Sequence, residues 1–283
     1  FRLYRGDFMT ADPLRIGILN LMHDKVDTQL RFTKVLSEGP YNVDVQYFYP
    51  QTHYTSRPVP DIVQEISQPL DFKQVATMDA FIITGAPIEQ LTFEEITYLD
   101  EIHQLIDVLV ANNIPQLYIC WGAMAAANYL YDIPKFQLPE KIFGVFHNYL
   151  RAQDPLLKGL PDGFLAPHAR YAELDIDKIM KDPRLVINAV TKNNFLFSFR
   201  AREKNQYFLF SHLEYGKDAL LKEYLRERNA NPGVEYIKPQ NYFRDPLHMK
   251  DPEFSWATTQ RVFFDNWLHS VADHIATQQF VKE

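Results

Sequence analysis

The chain of 283 residues carries 29 Lys and Arg against 36 Asp and Glu, a net charge of −7, with 46% hydrophobic residues, 14% aromatic residues and one cysteine. That length and apolar content suffice for one large α/β domain or two small ones, and the acidic balance argues against a nucleic-acid partner. The lone cysteine excludes a disulfide framework and a Cys-based zinc cluster, and no apolar run approaches the about 18 residues of a membrane span.

Phe1 to Thr10 mixes charges with aromatics and has no uninterrupted apolar stretch, so it does not read as a signal peptide, and the expected location is the cytoplasm. Leu14 to Leu21 reads as a first buried strand. Asp24 is placed to cap the helix that follows, with Leu30, Val35 and Leu36 as its apolar positions. Asn42 to Tyr49 alternates as a second strand. Pro50 to Pro69, rich in Pro, Ser, Thr and His, reads as an irregular surface excursion. Asp79 to Gly85 is a third strand, ending in Gly85-Ala86-Pro87. Phe93 to Asn112 has helical apolar spacing, and Gln116 to Cys120 is a fourth strand. This alternation predicts parallel strands with right-handed crossovers. Ligands then gather at the strands' carboxyl ends, where Gly85 to Glu89 and Cys120 both lie.

After Tyr131 the pattern changes. Pro134 to Lys141 reads as a loop, Ile142 to Phe146 as a strand and Pro161-Asp162-Gly163 as a turn. Leu185 to Val190, Phe195 to Phe199 and Tyr207 to Ser211 are short β-like pieces, so this half is expected to be antiparallel or mixed. Leu220 to Asn229 reads as a helix whose charged face is solvated. Pro232 to Pro252 is loop-rich, and Phe263 to Ile275 is a closing amphipathic helix. With no internal repeat, low-complexity segment or linker, 1–283 is read as one domain with its core at about 14–276.

Cys120 ends an apolar run and is followed at once by the small residues Gly122, Ala123, Ala125, Ala126 and Ala127. A strand, a sharp turn and a tightly packed helix would lift this side chain above the sheet edge, near amides and a helix dipole that favour a thiolate. A buried core cysteine is the other reading. A nucleophilic cysteine needs a base and an orienter. Tyr207 to Tyr215 offers His212 at a strand end and Glu214 two positions on, on the same face. A structural His–Glu pair is the alternative. The nine histidines are scattered singly, and no H-x-x-x-H, H-E-x-x-H or phosphate-loop motif occurs, so no metal site is expected.

A strand-end cysteine followed later by a strand-end His-x-Glu resembles the layout of class I glutamine amidotransferases. This implies a flavodoxin-like fold, with a mostly parallel sheet flanked by helices and mixed strands in the second half. A closer resemblance is to the MetA-type homoserine O-succinyl/acetyltransferases. It runs through Arg15 to Met22, Ile82 to Leu91, Ile119 to Ala123, Ile133-Pro134-Lys135, Pro139 to Val145, Ala166 to Tyr171, His212 to Tyr215, Asn241-Tyr242-Phe243 and Asn266-Trp267-Leu268.

The resemblance implies that Cys120 carries the acyl group, that His212 moves the protons, that Glu214 orients His212 and that the Trp121 N–H serves the oxyanion, with ping-pong kinetics. Lys141 would lie near the acyl or acceptor site. Glu89 would select acetyl-CoA, because its carboxylate repels the terminal carboxylate of a succinyl group. No permanently bound cofactor is implied. The partners are acetyl-CoA and a small amino acid, with neither nucleic acid nor membrane, and a homodimer is expected.

The sequence also departs from the family. Where the family reads T-W-R-S-H, with an Arg implied to grip the amino-acid carboxylate, Ala257 stands in Ser255-Trp256-Ala257-Thr258-Thr259. Ala169 replaces a family serine beside Arg170. Arg170 and Arg261 are candidates to replace the lost Arg. These departures point to L-serine, one methylene shorter than L-homoserine, as the acceptor. L-homoserine O-acetyltransferase, O-succinyltransferase, a glutamine amidotransferase-type hydrolase and a non-catalytic binding protein are the alternatives.

Overall fold

In Leu14–Leu19 every residue but Arg15 is buried, as expected of a strand covered on both faces. In the computed structural model, which describes residues 12–282, this run is strand β1. The reading of Phe1 to Thr10 lies outside the described residues.

The first half alternates β1, α1 (Lys25–Ser37), β2 (Val43–Tyr49), α2 (Asp61–Ile66), β3 (Gln68–Pro69), α3 (Phe72–Val75), β4 (Ala80–Ile83), α4 (Leu99–Ala111), β5 (Gln116–Ile119) and α5 (Trp121–Tyr131). The second half runs β6 (Lys135–Leu150), β7 (Phe164–Leu174), α6 (Ile176–Lys181), β8 (Leu185–Thr191), β9 (Leu196–Ala201), β10 (Gln206–Leu209), α7 (Ala219–Ala230), the hairpin β11 (Phe243–Asp245) with β12 (Lys250–Pro252), and α8 (Ala257–Lys282).

Ten strands form one sheet in the order β3-β2-β1-β4-β5-β10-β9-β8-β6-β7. The six from β3 to β10 pair in parallel, and β9, β8, β6 and β7 extend the sheet antiparallel. This is the α/β sheet, parallel then mixed, that the alternation predicts.

The strands are apolar on both sides because both faces are covered. Ile16, Ile18, Leu117 and Ile119 pack with Phe32 and Leu36 of α1 and with Phe263, Phe264, Trp267 and Leu268 of α8. Phe81, Ile83 and Tyr118 point the other way, into α4 and α5, against Ile102, Leu105, Ile106 and Ala123. Gly122 lets α5 start in contact with β4, since a Cβ there would sit 2.6 Å from the Thr84 carbonyl oxygen.

Several expectations need correction. Pro134 to Lys141 is not a loop. From Lys135 on it belongs to the 16-residue strand β6, and the disturbance around Pro139 is a register shift between Gln137 and Ile142. Strand β7 carries Pro167, His168 and Arg170 and gives no apolar alternation to read. Pro50 to Pro69 holds a 3-10 turn, α2 and the first residues of ordered pairing. The helix expected from Phe93 starts only at Leu99. A separate 3-10 turn, Phe93–Glu95, closed by a Thr92–Glu95 capping box, comes first. The loop-rich 232–252 region contains the β11–β12 hairpin.

Candidate active site

Cys120 stands between β5 and α5 with φ 49° and ψ −112°. A side chain other than glycine pays of order 1–3 kcal/mol for such a backbone. Its surroundings hold it there: the Cys120 N–H donates to the Leu209 carbonyl of β10 at 2.7 Å, and its own carbonyl accepts from Met124 N–H in α5. The bond to Leu209 ties the Cys120 turn to the strand that leads to His212.

Beyond β10, the His212 N–H and the Ser211 hydroxyl both donate to the Pro167 carbonyl, which fixes the segment. Glu214 Oε1 accepts from His212 Nδ1 at 2.8 Å, and Glu214 Oε2 has no hydrogen-bond partner among the described residues. Tyr215 stacks on the imidazole at 4.5 Å. With Nδ1 so occupied, the other nitrogen is left for Cys120, and the charge of His212 acts on the thiol. The approach is close: a methyl on Gly85 would lie 3.1 Å from His212 Cε1 and 3.3 Å from Cys120 Cβ.

Burial pushes the Cys120 thiol up, and His212 pulls against it. Burial also disfavours the imidazolium, but the Glu214 carboxylate and Cys120 outweigh it and hold His212 well above its ordinary range. The two groups therefore titrate as a pair.

Glu89 Oε1 accepts from the Cys120 thiol at 3.8 Å. Burial raises this carboxyl to about 7. Lys135 Nζ and Gln137 Nε2, at the start of β6, both donate to the Glu89 carbonyl, at 2.7 and 2.6 Å, and staple its loop. Cys120, His212 and Glu89 open onto a cleft of about 780 Å³ that Ala169, Tyr171, Lys141 and the α7 residues Glu223, Arg226, Glu227 and Ala230 also line.

The α7 positions 223, 226, 227 and 230 follow helical spacing and form one stripe. The solvated helix face expected over Leu220 to Asn229 is therefore in part the wall of the cleft. Glu223 is buried, and Lys141 bridges it at 2.5 Å to Glu227 at 2.7 Å. Burial works against the charge on Lys141, but the two carboxylates hold it well above its usual value. The Lys141 ammonium also lies 4.1 Å above the Phe143 ring. Arg226 lines the same cleft and has no ion pair or side-chain hydrogen bond among the described residues. A Glu-x-x-Arg pair on a helix with apolar flanks was the signal available for it.

The remaining expected residues separate. The Trp121 side chain is fully buried, 6.4 Å from the rings of both Phe93 and Tyr98. Its N–H is the first of α5 and has no acceptor within the helix. Ala169 and Tyr171 of β7 face the cleft, so Arg170 between them points away. Arg170 is fully buried and donates to His168 Nδ1, the Phe210 carbonyl, Glu173 and the Leu196 carbonyl. It braces the strand that leads to His212 and is not placed to bind a substrate. Ala257 is also outside the cleft. It lines a separate groove between α1 and α8 with Lys34, Glu38, Arg261 and Asp265. Neither Arg170 nor Arg261 lines the cleft, whereas Arg226 does.

Among the described residues no group of His, Cys, Asp and Glu is arranged to hold a metal ion, and no helix is long and apolar enough to cross a membrane.

A solved glutamine amidotransferase from Thermotoga maritima shares the fold, with TM-score 0.63 over 92% of this chain and 99% of its own at 13% identity. A serine O-acetyltransferase of Lactobacillus acidophilus is 53% identical over 93% of this chain and 98% of its own length. A homoserine O-acetyltransferase of Clostridium beijerinckii is 34% identical over 94% of this chain and 87% of its own. The family model of homoserine O-succinyltransferase matches residues 6–277, and the chain belongs to that family of acyltransferases.

Proposed function

We propose that this acyltransferase is an acetyl-CoA-dependent serine O-acetyltransferase acting through an acetyl-Cys120 intermediate. The observation that carries the chemistry is the strained Cys120 elbow, tied by its own N–H to the strand that presents His212 and Glu214.

In the first half-reaction the Cys120 sulfur attacks the thioester carbonyl, and its proton passes to His212. The oxyanion develops beside the Trp121 N–H. The intermediate collapses with loss of the CoA thiolate, which takes the proton from His212 and departs as the thiol. In the second half-reaction the acceptor hydroxyl gives its proton to His212 and attacks the acetyl-Cys120 carbonyl. The Cys120 thiolate is expelled and takes the proton back, and the O-acetyl amino acid leaves. Glu214 stabilises the imidazolium in both halves. Arg226 is the side chain suited to the acceptor's carboxylate, since guanidinium and carboxylate match in a bidentate pair. Glu89, beside the acyl position, opposes donors that end in a carboxylate.

Serine as acceptor is supported by the identity to the Lactobacillus acidophilus enzyme and by the apolar Ala169 in the cleft wall. L-homoserine is the second reading, supported by the Clostridium beijerinckii relative.

The test is to incubate the protein with acetyl-CoA, follow Cys120 by intact mass, and chase the adduct with serine, homoserine or glutamine. An acetyl adduct discharged fastest by serine is expected. Absence of any adduct, together with no acceptor-dependent CoA release, would overturn the transferase reading. Faster discharge by homoserine would replace serine as acceptor.

A further inference from the structure

Asn20, just beyond β1, and Lys25, the first residue of α1, hold each other. Lys25 Nζ donates to the Asn20 carbonyl at 2.6 Å, and Asn20 Nδ2 donates to the Lys25 carbonyl at 3.0 Å. No carboxylate among the described residues ion-pairs with this ammonium. Arg57, in the segment after β2, donates to His53 Nε2 at 2.7 Å and lies 5.2 Å over the Tyr54 ring, again with no carboxylate. His53 packs edge-on against Tyr54 and Tyr98, at 4.8 and 5.0 Å.

The three basic groups feel one another. Burial, then Arg57, lowers Lys25 to about 8, and burial, Arg57 and Lys25 lower His53. The nearby acids are committed elsewhere. Asp24 caps the Asp27 N–H, Asp27 pairs with Arg31 and Lys222, and Glu101 accepts from Gln51 N–H, Thr52 N–H and the Thr52 hydroxyl. A largely buried ammonium that feels a guanidinium, with no carboxylate paired to it among the described residues, is an unfavourable arrangement that a bound anion relieves. Both segments follow the carboxyl ends of parallel strands, where ligands of such sheets sit. Met22 and His23, between Asn20 and Lys25 in the chain, line the Cys120 cleft, which brings this segment to the edge of that cavity.

We infer that Lys25 and Arg57, with His53 between aromatic walls, form an anion subsite that takes a phosphate of the acyl-CoA donor. This rests on the proposed use of an acyl-CoA, and it assigns the nucleotide end of that donor to the β1–β2 side of the cleft. Asn20 and the Arg57–His53 bond preset the two cations, so the phosphate meets an ordered site.

The test compares acetyl-CoA, acetyl-dephospho-CoA and acetyl-pantetheine as donors for acetylation of Cys120 in the full chain. Arg57→Gln, at an exposed position, and Lys25→Met should each raise KM for acetyl-CoA by about 10-fold or more while leaving KM for acetyl-pantetheine unchanged. If wild type already loses its preference with acetyl-dephospho-CoA, the subsite holds the 3′-phosphate. If the preference is lost only with acetyl-pantetheine, it holds the diphosphate. Equal loss on all donors, or no loss in Arg57→Gln, would overturn the subsite. The transferase reading fails separately: no donor, acetyl-pantetheine included, would then acetylate Cys120.

Discussion

The Cys120 sulfur lies 3.8 Å from a carboxylate oxygen of Glu89, a carboxyl that burial holds at about 7. An ionised Glu89 repels a succinyl terminus, and a protonated one does not. Discrimination for acetyl-CoA over succinyl-CoA should therefore rise as pH increases through about 7 and weaken below it. Glu89→Gly should flatten that dependence and improve succinyl-CoA relative to acetyl-CoA by about 10-fold or more. A donor ratio that does not move would remove Glu89 from donor selection.

Glu214 raises the proton affinity of His212. The reactive form of the pair has one proton fewer than the resting form, so kcat/KM should climb on the alkaline side of the ordinary histidine range. Glu214→Gln removes the anion and should move this limb to lower pH, while kcat falls by about 10²–10⁴. The pH profile of CoA release from acetyl-CoA measures both. A fall in rate with the limb unmoved would leave Glu214 only a structural part.

Arg226 is assigned to the acceptor alone, so Arg226→Leu should separate the two half-reactions. Acetylation of Cys120 should keep its rate, while KM for serine rises by about 10–100-fold from the lost charged pair. Equal damage to both halves would exclude a dedicated acceptor role.

Lys141 holds two carboxylates in a buried site. Lys141→Met leaves Glu223 buried without its partner and should cost about 3–5 kcal/mol of stability at neutral pH, read by denaturant unfolding. In wild type Glu223 is kept below the usual carboxylate range by Lys141, against burial, so the pair's contribution is lost as pH falls through that lowered value. In the variant burial acts unopposed and protonation relieves it, so the deficit should shrink toward acid pH. A deficit that grows there would contradict the pairing.

The two alanines that mark the acceptor departures should behave differently. Ala169→Ser, in the cleft wall, should change the serine-to-homoserine ratio of kcat/KM. Ala257→Arg, in the α1–α8 groove, should leave it unchanged. The reverse pattern would restore position 257 to the acceptor pocket.

These contrasts follow the limits of what a chain can display before it folds. β1, β4 and β5 were legible because strands buried on both faces are continuous apolar runs, and Cys120 stood out where such a run met small residues. His212 and Glu214 were legible as a spaced pair, but not as neighbours on a strand face: β10 ends at Leu209, and the two meet in the turn beyond it. β7 was not legible: its buried residues include His168 and Glu173, both hydrogen-bonded by Arg170, and no apolar period records such a network. The charged stripe of α7 was read as solvated because Glu223 is neutralised by Lys141, 82 residues earlier in the chain. Arg170 and Ala257 were misplaced for a related reason. Neither motif spacing nor local pattern tells which side of a strand faces the cavity, or which groove a helix start borders.

The 2.7 Å bond from Cys120 N–H to the Leu209 carbonyl joins two neighbouring parallel strands at the point where each releases a reactive side chain. Cys120 and the segment that carries His212 are thus anchored to one part of the central sheet, while Ala169, Tyr171 and Arg226 reach the same cavity from the antiparallel extension and a peripheral helix. Substrate preference can drift in such a molecule by exchanging wall residues one at a time, with the bond-making machinery left untouched, and a lineage can acquire a new acceptor without passing through an inactive ancestor.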